Sequence, residues 1–208
     1  WLERGGVLVE ANIRGGGEFG GTWQSSGRSG SKIKSYEDFI AVAEDLIASK
    51  VCKPKTLAVK GGSIGGTLVA YMYVKRPDLF GAFHSALAVT DLKRLKSMGT
   101  SIPWVRELGD PDTADWEMFM KNLSPYHCID DSVLKRPPIL LTSTPWDDIV
   151  PPGHGRKFAN KLLDLGKGKK WPVYYYETTS GISSHDQLAF TTSLSFEFLY
   201  KTVTKKIK

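Results

Sequence analysis

The chain has 208 residues, of which 41% are apolar and 24% charged, and its formal net charge is +6. That apolar content excludes a disordered tail, and a cysteine count of two excludes a disulfide-stapled miniature. A folded chain of 23.0 kDa buries roughly 70% of the surface its unfolded form exposes, so residues 1–208 are expected to share one sizeable core.

The longest unbroken apolar run, Leu68 to Val74, is far too short to span a bilayer, and no membrane partner is expected. The positive charge is dispersed along the chain. Its densest clusters are Lys167, Lys169 and Lys170, then Lys205, Lys206 and Lys208. Neither is interleaved with aromatic rings on which bases could stack, so no nucleic-acid partner is expected. Cys52 and Cys128 lack metal-ligand spacing and accord with a reducing, cytoplasmic location. The chain opens on Trp1 rather than Met, from which we expect a piece of a longer protein.

Taken in order, Gly6 to Ile13 reads as a strand, followed by the glycine-rich loop Arg14-Gly15-Gly16-Gly17-Glu18-Phe19-Gly20-Gly21 and a Gly/Ser-rich stretch to Ser31. Ser35 with Asp38 three residues on reads as a capping box. Phe39, Val42, Ala43, Leu46 and Ile47 then mark one face of a helix. Thr56 to Val59 is a short strand, Gly61 to Gly66 a sharp turn, and Thr67 to Val74 a helix stopped by Pro77. Gly81 to Val89 is a second apolar strand. The mixed region from Thr90 to Tyr126 holds a helical stretch around Trp116 to Lys121.

The strand Ile139 to Thr142 then leads into Pro145-Trp146-Asp147-Asp148-Ile149-Val150-Pro151-Pro152. A helix follows near Gly155 to Leu165, with Phe158, Leu162 and Leu165 on one face. Val173 to Glu177 is the last strand, a loop carries His185, and Gln187 to Thr202 closes as a helix. Strands that are near-continuous apolar runs, alternating with helices, predict an α/β fold with a mostly parallel sheet covered on both faces.

Gly61-Gly62-Ser63-Ile64-Gly65 matches G-x-S-x-G. At that spacing a tight strand-to-helix turn strains the serine backbone, flanking glycines tolerate the crowding, and the hydroxyl is left standing above the sheet. The N–H of Ile64, at the start of the next helix, is placed to stabilise a developing oxyanion. A serine nucleophile needs a base and an orienting carboxylate. Asp147 or Asp148 follows the Ile139 strand and His185 follows the Val173 strand, so all three groups fall at one edge of a parallel sheet. His84, His127 and His154 read as structural or solvated, and no two histidines have the spacing of a helical zinc site. Gly15 to Gly20 also satisfies G-x-G-x-x-G. However, Glu37 and Asp38, the acids at the right distance, sit in a helix instead of ending a second strand, so no dinucleotide cofactor is expected.

With these motifs in place, the chain resembles the carboxyl-terminal part of the catalytic domain of the prolyl oligopeptidases, serine peptidases of the α/β-hydrolase fold. The resemblance runs over nearly the whole chain. It rests on Asn12-Ile13-Arg14-Gly15-Gly16-Gly17-Glu18-Phe19-Gly20, Gly61 to Gly66, Arg76-Pro77-Asp78-Leu79-Phe80-Gly81 and Asp147-Asp148-Ile149-Val150-Pro151-Pro152. It implies Ser63 as nucleophile, Asp147 as the acid (Asp148 being the alternative), His185 as base and Trp104 as the ring that stacks on a substrate proline. Glu107 leaves specificity for basic residues open.

The implied reaction is peptide-bond cleavage through an acyl-enzyme, with no metal or organic cofactor. The implied partners are a peptide substrate and the amino-terminal remainder of the same protein, with its β-propeller and the first strands of the sheet. This sequence departs from the family pattern in having Ile64 for Asn, Ile149 for Arg and a serine-rich setting for His185. Those departures leave as alternatives a truncated or impaired relative serving as a binding lobe, or an esterase using the same triad.

Overall fold

Val59, Phe83, Ile139 and Val173 come from four separate apolar runs and stand side by side across one parallel sheet. The computed structural model describes residues 1–99, 102–179 and 185–204. Its strands are β1 (Ala58–Gly62), β2 (Ala82–Ala86), β3 (Ile139–Ser143) and β4 (Val173–Glu177), ordered β1-β2-β3-β4 with every neighbouring pair parallel. The helices, in chain order, are α1 (Gly21–Ser25), α2 (Lys32–Ala48), α3 (Ile64–Lys75), α4 (Ile102–Leu108), α5 (Lys121–Leu123), α6 (Gly153–Leu165) and α7 (His185–Val203). A π-helical turn, Trp116–Met120, runs directly into α5.

Alternation along the strands decides which helix covers which face. Gly61, Ser85, Leu141 and Tyr175 share one row, and that face carries α3 and α6. Ser85 Oγ donates to the Gly66 carbonyl of α3 at 2.8 Å, and Gly155 of α6 lies against Ser143 and the Tyr175 ring. The alternate row, with Lys60, His84, Thr142, Tyr174 and Tyr176, faces α7. There Tyr174 meets Phe198 at 5.6 Å, Tyr176 meets Phe190 at 5.5 Å, and the Lys60 ammonium sits 4.2 Å over the Phe196 ring. Helix α3 is buried from Gly66 through Val74, which explains why its sequence is apolar all round and has no polar stripe. Both faces are thus covered, as the sequence predicts.

Several boundaries differ from the sequence reading. Residues 6 to 13 form no strand: they pair with no strand among the described residues, and Val7, Leu8 and Val9 are exposed. A ladder needs a neighbour about 4.8 Å away, whereas a groove of about 590 Å³ separates this segment from β1 and from Phe39, Val42 and Leu46 of α2. Ser35 and Asp38 do not cap a helix either, because α2 already begins at Lys32. Ser35 Oγ instead donates to the carbonyls of Arg14 (2.5 Å) and Gly27 (3.2 Å), and Asp38 holds the Arg14 guanidinium. Pro54–Thr56 forms a 3-10 turn, so β1 starts later and runs into the glycine pair. Among the described residues no helix is long and apolar enough to cross a membrane.

Candidate active site

The turn from β1 into α3 follows from its glycines. A Cβ at Gly61 would collide with the Gly65 carbonyl and press on Val69, so that position admits little but glycine. Ser63 lies between them with φ 54° and ψ −121°, a left-handed conformation that costs a non-glycine residue of order 1–3 kcal/mol. Its backbone N–H donates to the Ala86 carbonyl at 2.9 Å, which pins the turn to the end of β2. The Ser63 side chain is exposed and its hydroxyl makes no hydrogen bond among the described residues. Ile64 is the first residue of α3, so its N–H has no acceptor within the helix and lies at the positive end of the helix dipole.

Just past the carboxyl end of β3, Asp147 is 9% exposed. Its Oδ1 accepts from the N–H groups of Ile149 (3.0 Å) and Val150 (2.8 Å), which folds the acidic loop around that carboxylate. Asp148, next along the chain, is exposed. His185 begins α7, beyond the end of β4, and its side chain lies outside the described residues. Because all four strands are parallel, Ser63, the Asp147 loop and the start of α7 lie at the same edge of the sheet.

Trp104 belongs to α4, a helix that no periodicity in the sequence announces, and its indole N–H donates to the Ile149 carbonyl at 3.0 Å. The acidic loop and the Trp104 ring are therefore joined directly. Trp146 and Ile149 project from that loop, 75% and 57% exposed. Glu107, one turn on from Trp104, is not free: Lys32 binds one carboxylate oxygen and Arg28 Nε lies 3.1 Å from the other. Sequence reading missed this ion cluster because its partners are separated by more than seventy residues and leave no local signature.

The remaining histidines serve the fold. His84 is buried with Nε2 3.1 Å from Thr142 Oγ1, and His154 is buried with Nδ1 accepting from the Asp91 N–H at 3.3 Å. Burial pushes both down to about 4, with Lys60 adding to the effect at His84. His127 stacks edge-on against Trp116 and shares a hydrogen bond with Ser124.

The family model described as "Prolyl oligopeptidase family" matches residues 1–205. The chain is 41% identical over 181 residues to the uncharacterized peptidase y4nA of Sinorhizobium fredii, covering 87% of this chain and 24% of that protein. It is 36% identical over 169 residues to the prolyl endopeptidase of Dictyostelium discoideum, covering 81% of this chain and 22% of that one. Among solved structures, a post-proline cleaving enzyme from Rickettsia typhi superposes with a TM-score of 0.84 at 33% identity, covering 93% of this chain and 28% of that one. The chain spans about a quarter of the length of the curated relatives it matches.

Proposed function

The chain belongs to the prolyl oligopeptidase family, and from that premise we propose that it is the catalytic part of a longer serine peptidase that cleaves peptide bonds after proline. The observation that carries the proposal is the Ser63 turn, where a strained, exposed serine, its hydroxyl without a hydrogen bond among the described residues, stands beside the Ile64 N–H that opens α3. In the reaction, His185 takes the proton from Ser63 Oγ as that oxygen attacks the peptide carbonyl carbon. Asp147 holds the imidazolium, and the Ile64 N–H binds the oxyanion. The C–N bond breaks, the amine leaves with the proton from His185, and an ester to Ser63 remains. A water molecule then gives its proton to His185 and attacks the acyl carbon, which releases the acid and restores the serine.

Asp147 is preferred to Asp148 because it is buried and fixed by two loop N–H groups, whereas Asp148 is exposed. Proline is preferred to a basic residue because Trp104 offers a flat apolar face, and the carboxylate of Glu107 is already neutralised by Lys32 and Arg28. The printed names of the relatives, prolyl endopeptidase and post-proline cleaving enzyme, support the same choice. The groove beside β1 is where the remaining polypeptide of the longer protein packs, and a cytoplasmic location accords with the free thiols of Cys52 and Cys128.

The test is labelling of the full-length protein with a fluorophosphonate, followed by turnover of peptides with proline or arginine before the scissile bond. We expect a covalent adduct on Ser63 that is lost in Ser63→Ala, and hydrolysis confined to the proline peptide. An unlabelled Ser63 beside a reactive control hydrolase would overturn the peptidase reading. Turnover of short acyl esters alone would point to an esterase.

A further inference from the structure

The glycine-rich segment from Arg14 to Ser31, which includes Arg28, and Lys32 just after it have no part in the reaction steps above, yet they are tied to the helix that bears Trp104. Arg14 is anchored on α2 by Asp38, with Nη2 to Oδ1 at 2.5 Å and Nε to Oδ2 at 2.7 Å. Ser35 of α2 fastens the Arg14 and Gly27 carbonyls together, and Gly27 is crowded so closely against Arg14 that a Cβ there would strike its carbonyl. The next residue, Arg28, and Lys32 at the first turn of α2 both reach Glu107 of α4.

Lys32 is 4% exposed, so its ammonium has been taken out of water to make this contact. A charge is buried in that way only where its partner is held in place. At the other end of the same short helix, Trp104 donates to the Ile149 carbonyl, whose loop is folded around Asp147. Helix α4 is thus held at two points, by an ion cluster whose Lys32 arm is buried and by one indole hydrogen bond. With only seven residues, α4 has little intrinsic stability to fix its own position.

We propose that Glu107, with Lys32 and Arg28, is a positioning unit for the Trp104 ring, so that the glycine-rich loop sets the affinity for proline without touching the substrate. The proposal rests on the reading of Trp104 as the proline platform. Lys32 and Arg28 fix Glu107, Glu107 fixes the pitch of α4, and the pitch of α4 decides whether the indole plane faces the edge of the sheet that bears Ser63 and the Asp147 loop. Glu107 is therefore a positioning residue, and its loss acts through Trp104.

The experiment is a double-mutant cycle on the full-length protein in a Ser63→Ala background, with binding of an uncleaved proline-containing peptide followed by titration calorimetry. Glu107→Gln is expected to weaken binding about three- to tenfold, the range set by a misplaced aromatic contact. Trp104→Phe, which keeps a ring but loses the bond to Ile149, is expected to weaken it similarly. The two together should be no worse than Trp104→Phe alone. A peptide with alanine in place of proline should bind equally to all four proteins.

Additive losses, or a loss shared equally by the alanine peptide, would overturn the proposal, as would no change in Glu107→Gln. Where Glu107→Gln fails to fold, Arg28→Ala at the more exposed arm of the cluster is read in the same cycle. Because binding needs no chemistry, this outcome is separate from fluorophosphonate labelling. An unreactive Ser63 with an intact cycle would sink the peptidase reading alone, and a reactive Ser63 with an additive cycle would sink this proposal alone.

Discussion

Arg14 grips Asp38 with two parallel hydrogen bonds from Nε and Nη2, and Asp38 also accepts the Arg14 backbone N–H at 3.0 Å. One carboxylate thus fixes both the side chain and the main chain of the residue that opens the glycine-rich loop. The hydrogen bonds from Arg14 hold the Asp38 carboxyl below its ordinary range, burial opposing them. A carboxylate depressed in the folded state stabilises the fold above its unfolded value and loses that contribution as pH falls through the folded one. Asp38→Asn is expected to lower the melting temperature at pH 7 and to leave a shallower decline below about pH 4. Parallel thermal melts between pH 7 and pH 3 check it, and curves of equal slope for the two proteins would refute the linkage.

Ser63 holds a strained backbone conformation. With φ at 54°, glycine would occupy the position without the steric cost that serine bears. Ser63→Gly is therefore expected to abolish fluorophosphonate labelling while raising stability by about 1 kcal/mol, the low end of what such backbone conformations cost. Ser63→Ala, which keeps a Cβ, should abolish labelling without that gain. Urea denaturation of both variants beside the wild type makes the comparison, and equal midpoints for the two variants would show that the turn is not strained.

The parts of this fold that the sequence announces are those whose signals are local. Val173 to Glu177 is a strand on both readings because its run of β-branched and aromatic residues and its length agree. The Ser63 turn is legible because glycine is the residue that crowding at Gly61 permits. Residues 6 to 13 mislead for the opposite reason: alternation predicts a strand, but a strand exists only beside a partner, and none of the described residues pairs with these. Helix α4 is invisible because its stability comes from the contacts of Glu107 with Lys32 and Arg28 and of Trp104 with the Ile149 carbonyl, partners all distant in sequence. Ser35 and Asp38 fit the capping pattern by spacing alone, while their partners, Arg14 and Gly27, lie in the preceding loop.

Arg136 closes the far end of α3. It is 1% exposed and donates to the carbonyls of Tyr73 (2.6 Å) and Val74 (3.3 Å), acceptors that the last turn of α3 leaves open, and to that of Asp130 (2.9 Å) in a separate loop. Its guanidinium also lies between the Tyr73 and Trp171 rings, at 5.4 and 4.7 Å from their centroids. Arg136→Lys keeps the charge but cannot reach three carbonyls while stacked between two rings, so it is expected to destabilise the fold by about 2–4 kcal/mol. Arg136→Met should cost less than Arg136→Lys, since it leaves no charge stranded in the interior. Denaturant midpoints give the order, and a lysine variant as stable as the wild type would contradict the capping role.

His84 and His154 make the fold acid-sensitive from the inside. Both are buried, and burial lowers both to about 4 while their unfolded counterparts titrate near 6.5. Between those values the unfolded chain binds more protons than the folded one, so stability rises with pH over that window and is lost as pH falls from about 6.5 toward 4. The sign is the same for both residues, and their contributions run together.

His84→Gln retains a partner for Thr142 Oγ1 while removing the titration. It is therefore expected to melt close to the wild type at pH 7, and to lose less stability than the wild type between pH 7 and pH 4.5, by on the order of 1–2 kcal/mol. His154→Gln should behave likewise, keeping an acceptor for the Asp91 N–H. Urea midpoints at half-unit steps of pH provide the measurement. If both variants track the wild type across the whole range, these histidines do not set the acid limit, and the carboxylates held by arginine, Asp38 foremost, must carry it alone.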